Sequence, residues 1–113
     1  MKSKIVALSK NEEFKKLLKR KKLSNKYVTI FFGNLLNKDN KKLNISFVTK
    51  KKIGNAVKRN KIKRRLRNIV NDAVKKISLK FYYSYLVIAK PTMLNNDYTN
   101  IKETLFQSFE KIK

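Results

Sequence analysis

Arginine is scarce in this sequence, and it is concentrated. Of five arginines, Arg59, Arg64, Arg65 and Arg67 fall within nine residues, whereas lysines are spread along the whole chain. They belong to the stretch Lys50 to Arg67, KKKIGNAVKRNKIKRRLR, in which ten of eighteen residues are basic and none is acidic. A guanidinium is a planar fork of donors that grips a phosphate at two points, while an ammonium acts as a point charge. The chemistry such a cluster can do is anion recognition. A salt-bridged surface helix would mix acids among the bases at i,i+4, and this one does not. The run also begins in a loop holding Gly54 and crosses Asn55, a residue able to cap the helix that follows. Free N–H groups and the dipole at a helix start favour phosphate in their own right.

Other chemistry is poorly supplied. The chain has no histidine and no cysteine, which removes imidazole bases, thiol nucleophiles, disulfides and the common metal ligands. A Ser-His-acid triad is therefore impossible. The two glycines, Gly33 and Gly54, stand too far apart for a phosphate-binding GxxxxGK[ST] or GxGxxG loop. The seven acids are scattered, and Glu12 and Glu13 are neighbours that a helix points in different directions. Independent catalysis by this chain is not expected. A net charge of +23 with a pI near 10.4 calls for a polyanionic partner. It also opposes compaction, so the free protein should be modestly stable and strengthened by anions. The 42% hydrophobic content argues for a folded chain all the same. No apolar run is long enough to span a membrane and no signal-peptide core follows the start, so a cytoplasmic protein without membrane contact is expected.

The elements that must carry the basic run follow from periodicity. Ser9 and Glu12 form a capping-box pattern that opens a short helix from Lys10 to Arg20, with Phe14, Leu17 and Leu18 on one side. YVTIFF (27–32) reads as a strand with Tyr27, Thr29 and Phe31 facing one way and Val28, Ile30 and Phe32 the other. Gly33 and Asn34 mark its end or a bulge. A polar turn (37–42) and LNISFVTK (43–50) make an antiparallel hairpin with it the economical reading. Asn55 then caps a helix reaching about Ile77, whose stripe Ile62, Leu66, Ile69, Val70, Ala73 and Ile77 is buried. Arg59, Lys63 and Arg67 share a face outside that stripe. YSYLVIAK (83–90) is a strand buried on both faces and parallel to one already in the sheet. Asp97 caps a last helix with the stripe Tyr98, Ile101, Leu105, Phe109 and Ile112. The order is α-β-β-α-β-α, with room for another strand within 23–36: one α+β domain, 1–113, of helices on a sheet.

A nucleic acid fits this pattern better than other polyanions, and RNA better than DNA. The basic helix lies between strands, where a helix-turn-helix needs two adjacent short helices. Phe14 with Tyr27 or Phe31 could offer rings for unpaired bases, although strand aromatics are often core.

Residues 52–67, Lys52-Ile53-Gly54-Asn55-Ala56-Val57-Lys58-Arg59-Asn60-Lys61-Ile62-Lys63-Arg64-Arg65-Leu66-Arg67, closely resemble the signature of the bacterial ribonuclease P protein component. Leu8, Lys10 and Phe14 near the start, the aromatic strand, and Ala89-Lys90-Pro91 after the late strand extend the resemblance over nearly the whole chain. It implies an α-β-β-β-α-β-α two-layer α+β sandwich with a left-handed β-α-β crossover. It further implies the protein subunit of an endoribonuclease whose catalyst is an RNA subunit with Mg²⁺, removing the 5′ leader of precursor tRNA. The partners implied are the catalytic RNA and precursor tRNA, with no membrane and no obligate protein partner. RNA-contacting positions would be Lys50, Lys51, Lys52, Asn55, Lys58 and Arg59, continuing through Asn60, Lys61, Lys63, Arg64 and Arg67. A leader cleft would hold Phe14, Leu18, Phe31 and Lys90, with no metal ligand assigned to the protein.

Three departures from the family pattern stand out. Lys61 replaces the usual second arginine, keeping charge but losing the fork. Leu18 stands where a second aromatic is expected, and the usual glycine between Leu18 and Tyr27 is missing. The alternative reading is a small basic structural RNA-binding protein of the ribosomal type; a DNA-binding protein is the third.

Overall fold

The late apolar strand organises the sheet. In a computed structural model, which describes residues 5–6, 11–35, 42–77, 79, 82–94 and 97–112, the chain forms β1 (Ile5–Val6), α1 (Asn11–Leu18), β2 (Lys21–Ser24), β3 (Val28–Gly33) and β4 (Leu43–Val48). After a 3-10 turn at Lys51–Ile53 come α2 (Ala56–Lys76) and β5 (Ser84–Ala89). A second 3-10 turn at Pro91–Leu94 precedes α3 (Tyr98–Lys111). The strands make one mixed sheet in the order β1-β4-β5-β3-β2. β5 runs parallel to β4 and antiparallel to β3, and its apolar run suits a central strand covered on both sides.

That position corrects the expected hairpin. β3 and β4 do not pair, because β5 lies between them, with Ile30 opposite Val87 on one side and Phe47 opposite Val87 on the other. A connection of nine residues, unlike a two-residue turn, can step over an intervening strand about 4.8 Å wide on each side. The hairpin that does form joins β2 to β3, pairing Lys21 with Phe32 and Leu23 with Ile30. The extra strand expected within 23–36 thus begins at Lys21, directly after the helix expected to end at Arg20. The predicted cap Ser9, the helix start at Lys10 and most of the polar turn 37–42 lie outside the described residues.

The expected sandwich is made by α2 and α3 on one face of the sheet. Ile62, Leu66, Ile69, Val70 and Ala73 of α2 and Ile101, Leu105 and Phe109 of α3 are buried. They meet Val28, Ile30, Phe32, Leu43, Ile45, Tyr85 and Val87 from the strands. α1 crosses the other face. There Leu17, Leu35 and Leu86 form a smaller cluster, joined by the half-buried Phe14, Phe31, Val48 and Ile88. The alternation predicted for β3 holds from Val28 to Phe32, each face taking its own set. Tyr27, one residue before the strand, escapes it: its ring is 4% exposed and packs in the α2–α3 core.

Asn55 caps α2 as expected, its Oδ1 accepting from the Lys58 N–H at 3.0 Å. Asp97 stands at the start of α3 but its side chain makes no capping hydrogen bond. Gly54 has φ 153°, a conformation that side chains resist. The glycine was therefore required to turn the chain from β4 into α2.

Candidate nucleic-acid interface

α2 begins at the sheet end where β4 finishes and returns to the end where β5 starts, 21 residues or about 31 Å long. One side of it is core, which leaves its other sides to solvent. Lys58, Asn60, Lys61, Lys63, Arg64 and Arg67 are exposed there. Lys50, Lys51 and Lys52 are exposed on the approach, and Asn55 at the cap. Apart from Arg59, the predicted basic positions therefore lie on one continuous exposed run from the strand end along the helix. The only acid in α2, Asp72, does not interrupt it. Its Oδ2 accepts from Lys102 Nζ of α3 at 2.6 Å, and this contact holds its carboxyl below the usual value. The Lys102 ammonium is correspondingly raised, chiefly by the same hydrogen bond.

Arg59 differs from the other signature residues. It was expected on the open face, yet it lies at the margin of the core, half-buried, with Nε enclosed and lacking a hydrogen-bond partner. Three and seven residues on, Ile62 and Leu66 pack in the core, and this proximity draws the arginine stem inward. A buried donor without an acceptor costs free energy.

The four cleft candidates lie on the opposite face of the sheet. Phe14 of α1 and Phe31 of β3 join the same cluster, both half-buried. Tyr27, offered as an alternative ring, is in the other core. Leu18 was expected beside Phe14 and Leu17, but it is 49% exposed while Leu17 is fully buried. A helix of eight residues covers only part of the sheet, and Leu18 falls on its outer side. Lys90 is placed at the end of β5, where Nζ donates to Ser24 Oγ at 2.8 Å and to the Asn25 carbonyl at 2.5 Å. Its ammonium is thus anchored to the turn between β2 and β3.

That turn is an arrangement missed in the sequence. Asn25 Oδ1 accepts from the N–H groups of Tyr27 and Val28 at 2.7 and 2.9 Å, and its Nδ2 donates to Ser108 Oγ of α3 at 2.8 Å. The Lys90 N–H reaches the Tyr27 carbonyl at 2.8 Å and Thr92 Oγ1 donates to the Lys26 carbonyl at 2.6 Å. Ser24-Asn25 between two strands was the available signal, since Asn favours turns through just such side-chain contacts. The result is a rigid rim at the same sheet end as Lys50–Asn55.

Among the described residues no group of three His, Cys, Asp or Glu side chains could hold a metal ion, and no helix is long and apolar enough to cross a membrane. The geometry is that of a binding protein with a basic helix on one face of its sheet and a partly covered apolar face on the other.

Residues 3–113 match the sequence pattern of the ribonuclease P family. The chain belongs to that family. It is 32% identical over 110 residues to the ribonuclease P protein component of Carboxydothermus hydrogenoformans, covering 94% of this chain and 90% of the relative. With the component from Bacillus pumilus it shares 36% identity over 105 residues, covering 92% and 85%. The structure is similar to the RNase P protein of Staphylococcus aureus, with a TM-score of 0.80 at 26% identity over 95% of this chain and 94% of that one. The RNase P protein of Thermotoga maritima shares the fold, with a TM-score of 0.80 at 24% identity over 96% and 98%. The family fold is an α+β sandwich, as the resemblance implied, and β4-α2-β5 is its parallel β-α-β unit.

Proposed function

We propose that this chain is the protein subunit of a ribonuclease P holoenzyme, binding the catalytic RNA through α2 and the single-stranded 5′ leader of precursor tRNA over the α1 face. The observation that carries the reading is the uninterrupted basic run from Lys50 through Arg67, whose single acidic neighbour, Asp72, is taken up by Lys102. Cations in that density neutralise RNA phosphates and release counterions. Arg59 adds a half-buried guanidinium at the margin of this surface, a group whose forked donors suit a phosphate.

The chain offers no general base or nucleophile of the usual kinds, which suits chemistry on the RNA partner assisted by Mg²⁺. The protein's share is then to neutralise charge and position substrate. Phe14 and Phe31 present half-buried rings beside α1, and a stacked base is worth about 1–3 kcal/mol. Leu18, on the outer side of α1, adds neither a ring nor apolar surface to this wall. Lys90 acts by holding the β2–β3 turn at the edge of this face, its remaining donor capacity open to a phosphate.

The test is reconstitution. Purified protein added to the cognate catalytic RNA at low Mg²⁺ should raise cleavage of precursor tRNA above that of RNA alone. A folded protein that gives no increase rules the proposal out. Co-purification with ribosomes instead would favour the structural RNA-binding alternative.

A further inference from the structure

The fifth arginine is not in α2. Arg20 follows α1, at the opposite end of the sheet from Lys50–Asn55, because Gly33 pairs with Ser84 and Val28 with Ala89. Five residue steps along β5 separate the two rows, about 17 Å. At this far end a pocket of about 390 Å³ is lined by Lys19, Arg20, Lys21, Phe32, Gly33 and Tyr83, with Asn34 beside them. This lies at the small end of ligand sites, which span roughly 300–1,000 Å³. It is roomy enough for one nucleotide and too small for a duplex.

Three observations give the pocket its character. First, it is cationic without neutralisation: three successive basic side chains line it, and no carboxylate among the described residues pairs with them. Second, Gly33 lets the arginine lie close. A Cβ at position 33 would come within 2.7 Å of Arg20 Cγ and 3.0 Å of Arg20 Cβ. The stem therefore rests on bare backbone. Third, the wall is aromatic and extends outward. Phe32 and Tyr83 meet edge to face with centroids 5.5 Å apart. Tyr82 lies 4.5 Å from Tyr83 and is 43% exposed, an uncommon state for a large ring among the described residues. Burial, with the neighbouring Tyr82, pushes the Tyr83 phenol upward, so at neutral pH it is an uncharged ring.

Cations after a helix C-terminus also offset its dipole. That effect accounts for the charge. It does not account for a glycine under the arginine, for the pocket, or for the exposed tyrosine.

We infer that this pocket is a third RNA site, separate from α2 and from the α1 face, which takes a single unpaired nucleotide. Arg20, flanked by Lys19 and Lys21, receives the phosphate, and the base lies against Tyr82 and Tyr83. The nucleotide can come from the catalytic RNA or from precursor tRNA, and only this choice of probes rests on the function proposed above.

The experiment measures binding of the full chain to each labelled RNA separately, for wild type, Arg20→Ala, Tyr82→Leu and Lys75→Ala. Lys75 is exposed in the last turn of α2 and does not line the pocket, so its loss controls for general charge. Arg20→Ala and Tyr82→Leu should each weaken one of the two RNAs roughly 5- to 150-fold, the span for losing one stacked base or its anchor, with an unchanged melting temperature. The RNA affected identifies the source. Lys75→Ala should change both only slightly. Equal losses for Arg20→Ala and Lys75→Ala, or full affinity in Tyr82→Leu, would overturn the inference. Wild type failing to bind either RNA would instead count against the holoenzyme reading.

Discussion

The two faces of the sheet are built differently. One is sealed by α2 and α3, with a core that runs from Leu43 and Ile45 under Leu66 and Ile69 to Leu105 and Phe109. The other is crossed by the eight residues of α1, which bury Leu17 fully and leave Phe14, Phe31, Val48 and Ile88 half-buried. A fully covered face stabilises the fold and spends its apolar surface on itself. A partly covered one keeps apolar surface for a ligand. The helix that seals the first face turns its charges outward, so the same element closes the core and offers the phosphate-binding surface.

The two faces should differ most in how much stability their buried side chains contribute. Leu66→Ala, a fully buried site beneath α2, should cost about 2–5 kcal/mol in urea unfolding. Phe14→Ala should cost clearly less than the roughly 3–5 kcal/mol of a buried phenylalanine. Equal losses would make the α1 face ordinary core.

For function the ranking reverses. Arg59→Ala combined with Arg64→Ala should weaken the catalytic RNA strongly, since a hydrogen bond to a charged group contributes about 1.5–3 kcal/mol. The salt dependence should become shallower by about 0.9 in log-log slope per lost phosphate contact. An unchanged slope would leave these arginines merely solvated. Phe14→Ala should weaken leader-bearing precursor tRNA by about 1–3 kcal/mol and leave mature tRNA unaffected. A similar loss for both would remove the leader from this face.

Smaller effects sharpen the account of how α2 is held. Asn55→Ala deletes the acceptor for the Lys58 N–H and should cost about 1 kcal/mol, visible as a drop in melting temperature of about 4–8 °C for a domain near this size. The Asp72–Lys102 pair ties α2 to α3, and Asp72→Asn should lower the melting temperature only slightly, because both groups are partly solvated. Its pH dependence has a definite sign. The folded carboxyl is depressed, so the pair's contribution is present above the unfolded value near 3.8 and is lost as pH falls through the lower folded value. Lys102 is raised above 10.5, so the contribution persists through neutral pH and fades only as pH rises past that folded value. The difference between wild type and Asp72→Asn should therefore be flat from about pH 5 to 9 and shrink in acid.

Much of this was legible in the residues. The stripe Ile62, Leu66, Ile69, Val70 and Ala73, the cap at Asn55 and the need for Gly54 each depend on a few neighbouring positions. So does the alternation of Val28, Ile30 and Phe32 against Thr29 and Phe31. Misplacements arose wherever a contact came from a distant strand or helix. Tyr27 has the composition of a strand aromatic, and Asn25 and Lys90 fix its turn so that the ring enters the main core. Leu18 fits the apolar side of a longer helix, but α1 ends there and its outer side is free. Arg59 has the periodicity of a solvent face, yet it sits half-buried beside the core residues Ile62 and Leu66.

The sequence by itself determined the chemistry: no histidine or cysteine, an acid-free basic run with its arginines gathered, and elements whose periods specify an α+β fold. Side-chain type and local spacing suffice for that, because charge, donor geometry and helical or strand periodicity act over a few residues. Only the tertiary structure decided that β5 separates β3 from β4, that α1 and α2 occupy opposite faces, and that Arg20 lies over Gly33 and shares a pocket with Tyr83 at the far end. These depend on which apolar surfaces bury one another across long separations in the chain, and many strand orders satisfy the same local pattern until packing selects one.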